Sequence, residues 1–273
     1  MRSGGFSRSQ ALEGYAFTLP ALLLVLGLIL YPIALSVYLS FFNQNLLRPG
    51  LGRFLGLGNY ARLLSDSKTL NAFQKSAAMV GFGALGTMLV GFLLGLFLNI
   101  GFRGSTVLIS VLLIPWVLPE IVTGQIWRWI FQGDVGVANA ILHRLGLIRE
   151  PILWLGSVEL AMPTIIGAVI WRLSPFTTLM FLGALRSVPP ELLEAASIDG
   201  ANGFQRFRHI TLPHLRYVTV IGTLLVAIFI LNNFAVVWVS TKGGPVNATE
   251  IIPVLIYKMN FQNYATSRAA ALS

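Results

Sequence analysis

Three ionisable side chains, Glu120, Arg128 and Arg172, sit inside stretches that are otherwise apolar. A charge in hydrocarbon is costly, so each such residue marks an ion pair, a route across the membrane, or a side chain reaching back to the headgroups. Arg128 lies between Trp127 and Trp129, where a guanidinium that snorkels to the interface is expected. Arg172 follows Trp171 deeper in its stretch, and both a pairing with Glu120 and a place along a transport path fit it. Asn232 and Asn233 carry amides that donate and accept, suited to sugar hydroxyls or to an interhelical hydrogen bond. No set of groups suits covalent or metal chemistry. His143, His209 and His214 lack zinc-ligand spacing, and there is no cysteine to form a disulfide, a thiolate site or a nucleophile. A GxxxxGK[ST] phosphate loop is also absent, so no such loop holds ATP in this chain.

The elements that must position these residues are membrane helices. Of 273 residues, 55% are hydrophobic and 11% charged, whereas a soluble domain carries about a quarter charged. The 19 Lys and Arg and 10 Asp and Glu fall between long apolar runs. Five runs, from Tyr15 to about Ser40, Ser76 to Asn99, Thr106 to Phe131, Leu160 to Leu185 and Tyr217 to Ser240, read as helical spans. The first is too long for the apolar core of a secretory signal, and its Pro20 and Pro32 are tolerable in a bundle. Gly91 and Gly95 form a GxxxG that lets two helices approach, read here as packing within the bundle. The final residues, 269–273, read as the opening of a sixth span. The expected fold is therefore all-α, a single polytopic membrane domain over 1–273. The formal charge of +9 sits in loops flanking apolar runs, which suits anionic lipid and gives no basic face for nucleic acid. Basic residues are nearly equally dense on alternate sides, so charge alone does not orient the chain.

The polar stretch 186–216 has its own logic. Pro189 and Pro190 can open a helix, Glu191 and Glu194 suit its positive end, and Gly200 can stop it. A second short helix, about Phe204 to Ile210, is expected to break at Pro213. The order of residues is more specific still. Glu194-Ala195-Ala196, then Asp199-Gly200-Ala201, then Ile210 and Leu212-Pro213, resembles the EAA loop of permease subunits in binding-protein-dependent ABC importers. Tyr31-Pro32, Gly56 to Tyr60, Ile114-Pro115, Trp127 to Phe131, Gly136 to Asn139, Trp171 with Pro175-Phe176, Asn232-Asn233-Phe234 and Thr241 to Pro245 follow in the order of the carbohydrate branch, which they resemble.

That resemblance implies a cytoplasmic coupling loop, with Glu194, Ala195, Ala196, Asp199, Gly200 and Ala201 seated on an ATPase subunit. It implies a substrate path touched by Asn232, Asn233, Trp171, Arg172, Leu173, Phe176 and Glu120. Two ATPase subunits holding ATP and Mg, a second permease and an extracytoplasmic binding protein would complete the assembly, in a bacterial inner membrane with the N-terminus cytoplasmic. The chain itself would be no enzyme and carry no cofactor. A sugar or oligosaccharide is the expected substrate; a polyol or glycerol phosphate is the alternative if Arg172 meets a phosphate. An ion-coupled secondary carrier would need several intramembrane acids, and only Glu120 is available.

Overall fold

The computed structural model describes residues 8–45 and 47–273; Arg2 and the extreme N-terminus, expected to be cytoplasmic, lie outside the described residues. These group into two compact units, one of residues up to Asp66 with Ile256–Ser273, the other Ser67–Leu255.

In the first unit, α1 (Arg8–Val25) passes through a single π-helical turn, Leu26–Leu30, into α2 (Tyr31–Ser40). The turn precedes Pro32, whose missing N–H and ring would spoil a regular α-helix; widening the turn removes the conflict. An antiparallel hairpin of β1 (Phe42–Asn45) and β2 (Arg48–Phe54) follows, with Phe42 opposite Phe54 and Asn43 opposite Arg53. It is the one departure from an all-helical chain among the described residues, in a stretch the sequence offers only as polar. Buried Asn59, on α3 (Gly58–Ser65), donates from Nδ2 to the carbonyls of Ser40 (2.7 Å) and Phe42 (2.6 Å). This pins the helix end to the hairpin. The last helix, Thr266–Leu272, places the Ser267 hydroxyl 2.9 Å from the Gln44 N–H it accepts.

The second unit holds the remaining membrane helices. Its frame is α4 (Ser67–Asn99) against α8 (Ala161–Arg186). Between them come α5 (Ser105–Val117), α6 (Glu120–Ile130) and the short α7 (Val137–Arg144). Gly91 and Gly95 face α8 so closely that a Cβ at Gly91 would overlap the Thr177 hydroxyl and lie 2.9 Å from the Thr178 nitrogen. The GxxxG is therefore an intrachain seam. Met79, Ile165, Val169, Leu173, Val226, Ile230, Val236 and Val237 fill the core around it.

Two of the five spans expected from hydropathy are not single straight helices. The third turns by 98° between α5 and α6 at Leu118-Pro119. Pro119 cannot donate to α5, and its extended backbone (ψ 143°) starts α6 afresh. The fifth is interrupted at Asn232-Asn233, with α12 (Arg216–Leu231) on one side and α13 (Phe234–Thr241) on the other. Among the described residues, three helices are long and apolar enough to cross a membrane, Tyr15–Ser40, Ser67–Asn99 and Ala161–Arg186, or up to five spans with the bent pairs.

Between α8 and α12 lies the polar loop, made of α9 (Pro190–Ile198), α10 (Gly203–Arg206), a π-helical turn Phe207–Thr211, and α11 (Leu212–His214). Pro213 does not break this helix as its sequence implies. The preceding π-turn accommodates the ring as at Pro32, and the bend of 55° falls instead at Leu215. A tight loop after α13 is closed by Thr241 and Thr249, whose hydroxyls lie 2.7 Å apart, and α14 (Ile252–Tyr257) follows.

Candidate functional site

Glu120 is the first residue of α6, where a carboxylate meets the positive end of the helix. The break at Pro119 turns that end toward α8, and the Arg172 Nη1 lies 3.2 Å from the Glu120 Oε1. Both side chains are largely withdrawn from the surface, 15% exposed for Arg172 and 31% for Glu120. The two intramembrane charges of the site thus neutralise one another. Arg172 Nε is buried without a hydrogen-bond partner.

The other residues of the expected path divide. Trp171 is partly exposed and meets Trp127 at a ring separation of 6.0 Å. Phe176 stacks on Trp116 of α5 (5.6 Å) and meets Phe229 of α12 edge-on (5.7 Å). Leu173 is 1% exposed within the core, so it supports α8 rather than lining an opening in this chain. Asn232 spends its Nδ2 on the Ile228 carbonyl, 2.9 Å away, closing the end of α12. Asn233 is fully buried at the break between α12 and α13, and neither amide atom has a hydrogen-bond partner. A buried amide left unmet costs about 1–3 kcal/mol, and Asn233 carries that cost at the break between the two helices.

Three aromatic residues join this site that sequence reasoning did not assign to it: Trp127, Phe131 and Trp154. Trp127 and Phe131 stack at 5.2 Å, as residues four apart on one helix face do. Phe131 meets Trp154 edge-on at 5.2 Å. The i, i+4 spacing of the first pair was visible in the sequence; the arrival of Trp154 from a distant loop was not. At the entrance to α8, the Ser157 hydroxyl donates to the Glu159 carboxylate at 2.6 Å and holds that carboxyl below its usual range.

The residues of the expected coupling loop form a hydrogen-bonded hairpin. Helix α9 ends with Gly200 at φ 81°. The Gly200 N–H reaches the Ser197 carbonyl (3.1 Å) and the Ala201 N–H the Ala196 carbonyl (2.9 Å), a Schellman ending that needs the left-handed conformation. Two residues on, Asn202 caps α10: its Oδ1 accepts from the Gln205 N–H (2.9 Å), and Gln205 Oε1 accepts from the Asn202 N–H (2.8 Å). Arg206 Nη1 donates to the Ser197 hydroxyl at 2.6 Å and ties the two short helices together. At the base, Ser187 Oγ and His214 Nε2 lie 3.0 Å apart. Glu194, Ala195 and Asp199 are exposed on this hairpin, while Ala196 and Ala201 are half-buried along a hollow of about 340 Å³. Ile198 and Phe204 project into solvent.

Known proteins agree with this architecture. The family described as the binding-protein-dependent transport system inner membrane component matches residues 87–273. A probable ABC transporter permease of Brucella suis biovar 1 is 35% identical, the match covering 95% of this chain and 89% of that protein. The trehalose/maltose transport system permease MalF of Thermococcus litoralis is 34% identical over 96% of this chain and 88% of its own. A bacterial alginate ABC transporter, solved with its alginate pentasaccharide-bound periplasmic protein, shares the fold with a TM-score of 0.83 at 20% identity, covering 97% of this chain and 88% of that one. The chain belongs to the family of membrane permease components of binding-protein-dependent ABC importers.

Proposed function

We propose that this chain is one of two permease subunits in an ATP-driven importer of a neutral sugar or oligosaccharide. It forms half of the path and works by alternating access, as a single membrane domain with its N-terminus and residues 186–216 cytoplasmic. A binding protein delivers substrate from outside. Two ATPase subunits bind ATP and Mg, and one of them receives the hairpin of Glu194 to Ala201. Lipid surrounds the spans, and nucleic acid plays no part.

The observation that carries the substrate class is the Glu120–Arg172 pair at 3.2 Å. With Arg172 already neutralised, a phosphate would have to displace Glu120 and leave a carboxylate unpaired, at a cost of several kcal/mol. A neutral sugar makes no such demand, because its hydroxyls need hydrogen-bond partners and no counter-charge. Aromatic faces at Trp171 and Phe176 suit a pyranose ring, and the trehalose/maltose relative supports the same class. The test is uptake of labelled trehalose and maltose into proteoliposomes holding the complete assembly and its binding protein. Uptake should require ATP and ignore ionophores. Uptake that collapses with the ion gradient and ignores ATP would contradict the proposal.

A further inference from the structure

A second place gathers side chains able to hold a ligand, away from the Glu120–Arg172 pair. A cavity of about 410 Å³ is lined by Gln125, Arg128, Trp129, Gln132, Trp154 and Ser240, among others. That is within the usual range for small-molecule pockets. No carboxylate lines it. Arg128, for which snorkelling toward headgroups is the favoured reading from sequence, opens on this cavity with no ion pair or hydrogen bond to any described residue. Its donors, with the amides of Gln125 and Gln132, give one side of the cavity a surface for hydroxyls.

The opposite side is apolar and fixed. Trp154 donates from Nε1 to the Asn139 Oδ1 at 2.8 Å. Asn139 is itself 5% exposed and donates to the carbonyls of Gly133 (2.8 Å) and Ile152 (2.9 Å). Each hydrogen-bonding atom of that amide is used to hold the indole in place. A wall so held loses little freedom when a ligand docks. From it the rings run on without a gap: Trp154 to Phe131, Phe131 to Trp127, Trp127 to Trp171, in steps of 5.2, 5.2 and 6.0 Å. The last ring belongs to the residue before Arg172.

We infer that this cavity is an outer saccharide subsite. A sugar ring rests on the indole wall with its hydroxyls on Arg128 and the glutamines, and the aromatic run leads it to the Glu120–Arg172 pair. Aromatic faces beside a hydrogen-bonding rim hold a saccharide at successive positions without requiring one fixed pose. The inference rests on the reading of the chain as a sugar permease.

The chain has no cysteine of its own, so Leu153→Cys, exposed on the rim of the cavity, reports on occupancy. In the complete purified importer, the rate of maleimide labelling at this position is followed with trehalose, maltose or maltotriose. Ser65→Cys, outside the cavity, serves as the reference. Whichever sugar the same assembly transports should slow labelling at position 153 severalfold and leave position 65 unchanged. Adding Arg128→Ala should abolish that protection, and Arg128→Lys should retain part of it. Labelling at position 153 that ignores a transported sugar overturns the subsite and leaves the proposed function standing. So does protection that survives Arg128→Ala. If the unaltered assembly transports none of these sugars, the proposed function fails and the subsite falls with it.

Discussion

Separating Glu120 from Arg172 is the perturbation whose size the geometry defines best. At 3.2 Å the gross attraction is about 5 kcal/mol for an effective dielectric of ~20. Both groups are partly exposed, at 15% and 31%, and both lost water to form the pair. The net coupling should therefore fall to about 1–2 kcal/mol, between values for surface and buried pairs. Glu120→Gln, Arg172→Gln and the double variant form a cycle, read by unfolding of the purified chain in mixed micelles. Each single change should destabilise, and Arg172→Gln more, because it strands a carboxylate. The double variant should recover about 1–2 kcal/mol against the sum of the singles. Costs that add to within about 0.5 kcal/mol would refute the pair as an energetic unit. With it would go the argument that Arg172 is unavailable to a phosphate.

Three other predictions follow from single positions. Gly200→Val has open space for its side chain, so its cost of about 1–2 kcal/mol comes from the left-handed backbone alone; the assembled protein should fold yet lose most ATP-driven uptake, and unchanged uptake would contradict a coupling role. Gly91→Ala drives a methyl into Thr177 and should cost about 1–3 kcal/mol, whereas Gly81→Ala meets nothing within 4 Å and should be near neutral in the same unfolding assay. Asn202→Cys should resist an impermeant thiol reagent in intact cells while Ser65→Cys reacts; the reverse pattern would invert the proposed orientation.

What the sequence disclosed and what it concealed divide along physical lines. Gly200 as a helix stop and Gly91 with Gly95 as a close seam were legible because only glycine satisfies either demand, and its position in the run says which. The hydropathy runs were legible because lipid imposes them. Hydropathy carries no direction, however, so the 98° turn at Pro119 was invisible, as was the interruption at Asn232-Asn233. Pro213 misled because a π-turn ahead of a proline substitutes for a break. The same arrangement at Pro32 shows what to look for. Leu173 entered the expected path through resemblance, and its 1% exposure places it in the core instead. Trp154 was overlooked, and Asn139 entered only through the resemblance, because their roles depend on tertiary contacts across a polar linker that has no periodicity of its own.

The most direct test of the central claim is to tag the gene product, extract it gently from membranes and identify what copurifies. A permease whose hairpin at Glu194 to Ala201 seats on an ATPase should bring down a nucleotide-binding ATPase and a second permease, and Gly200→Val should weaken that recovery. A stable homo-oligomer with no ATPase, indifferent to Gly200→Val, would contradict the account.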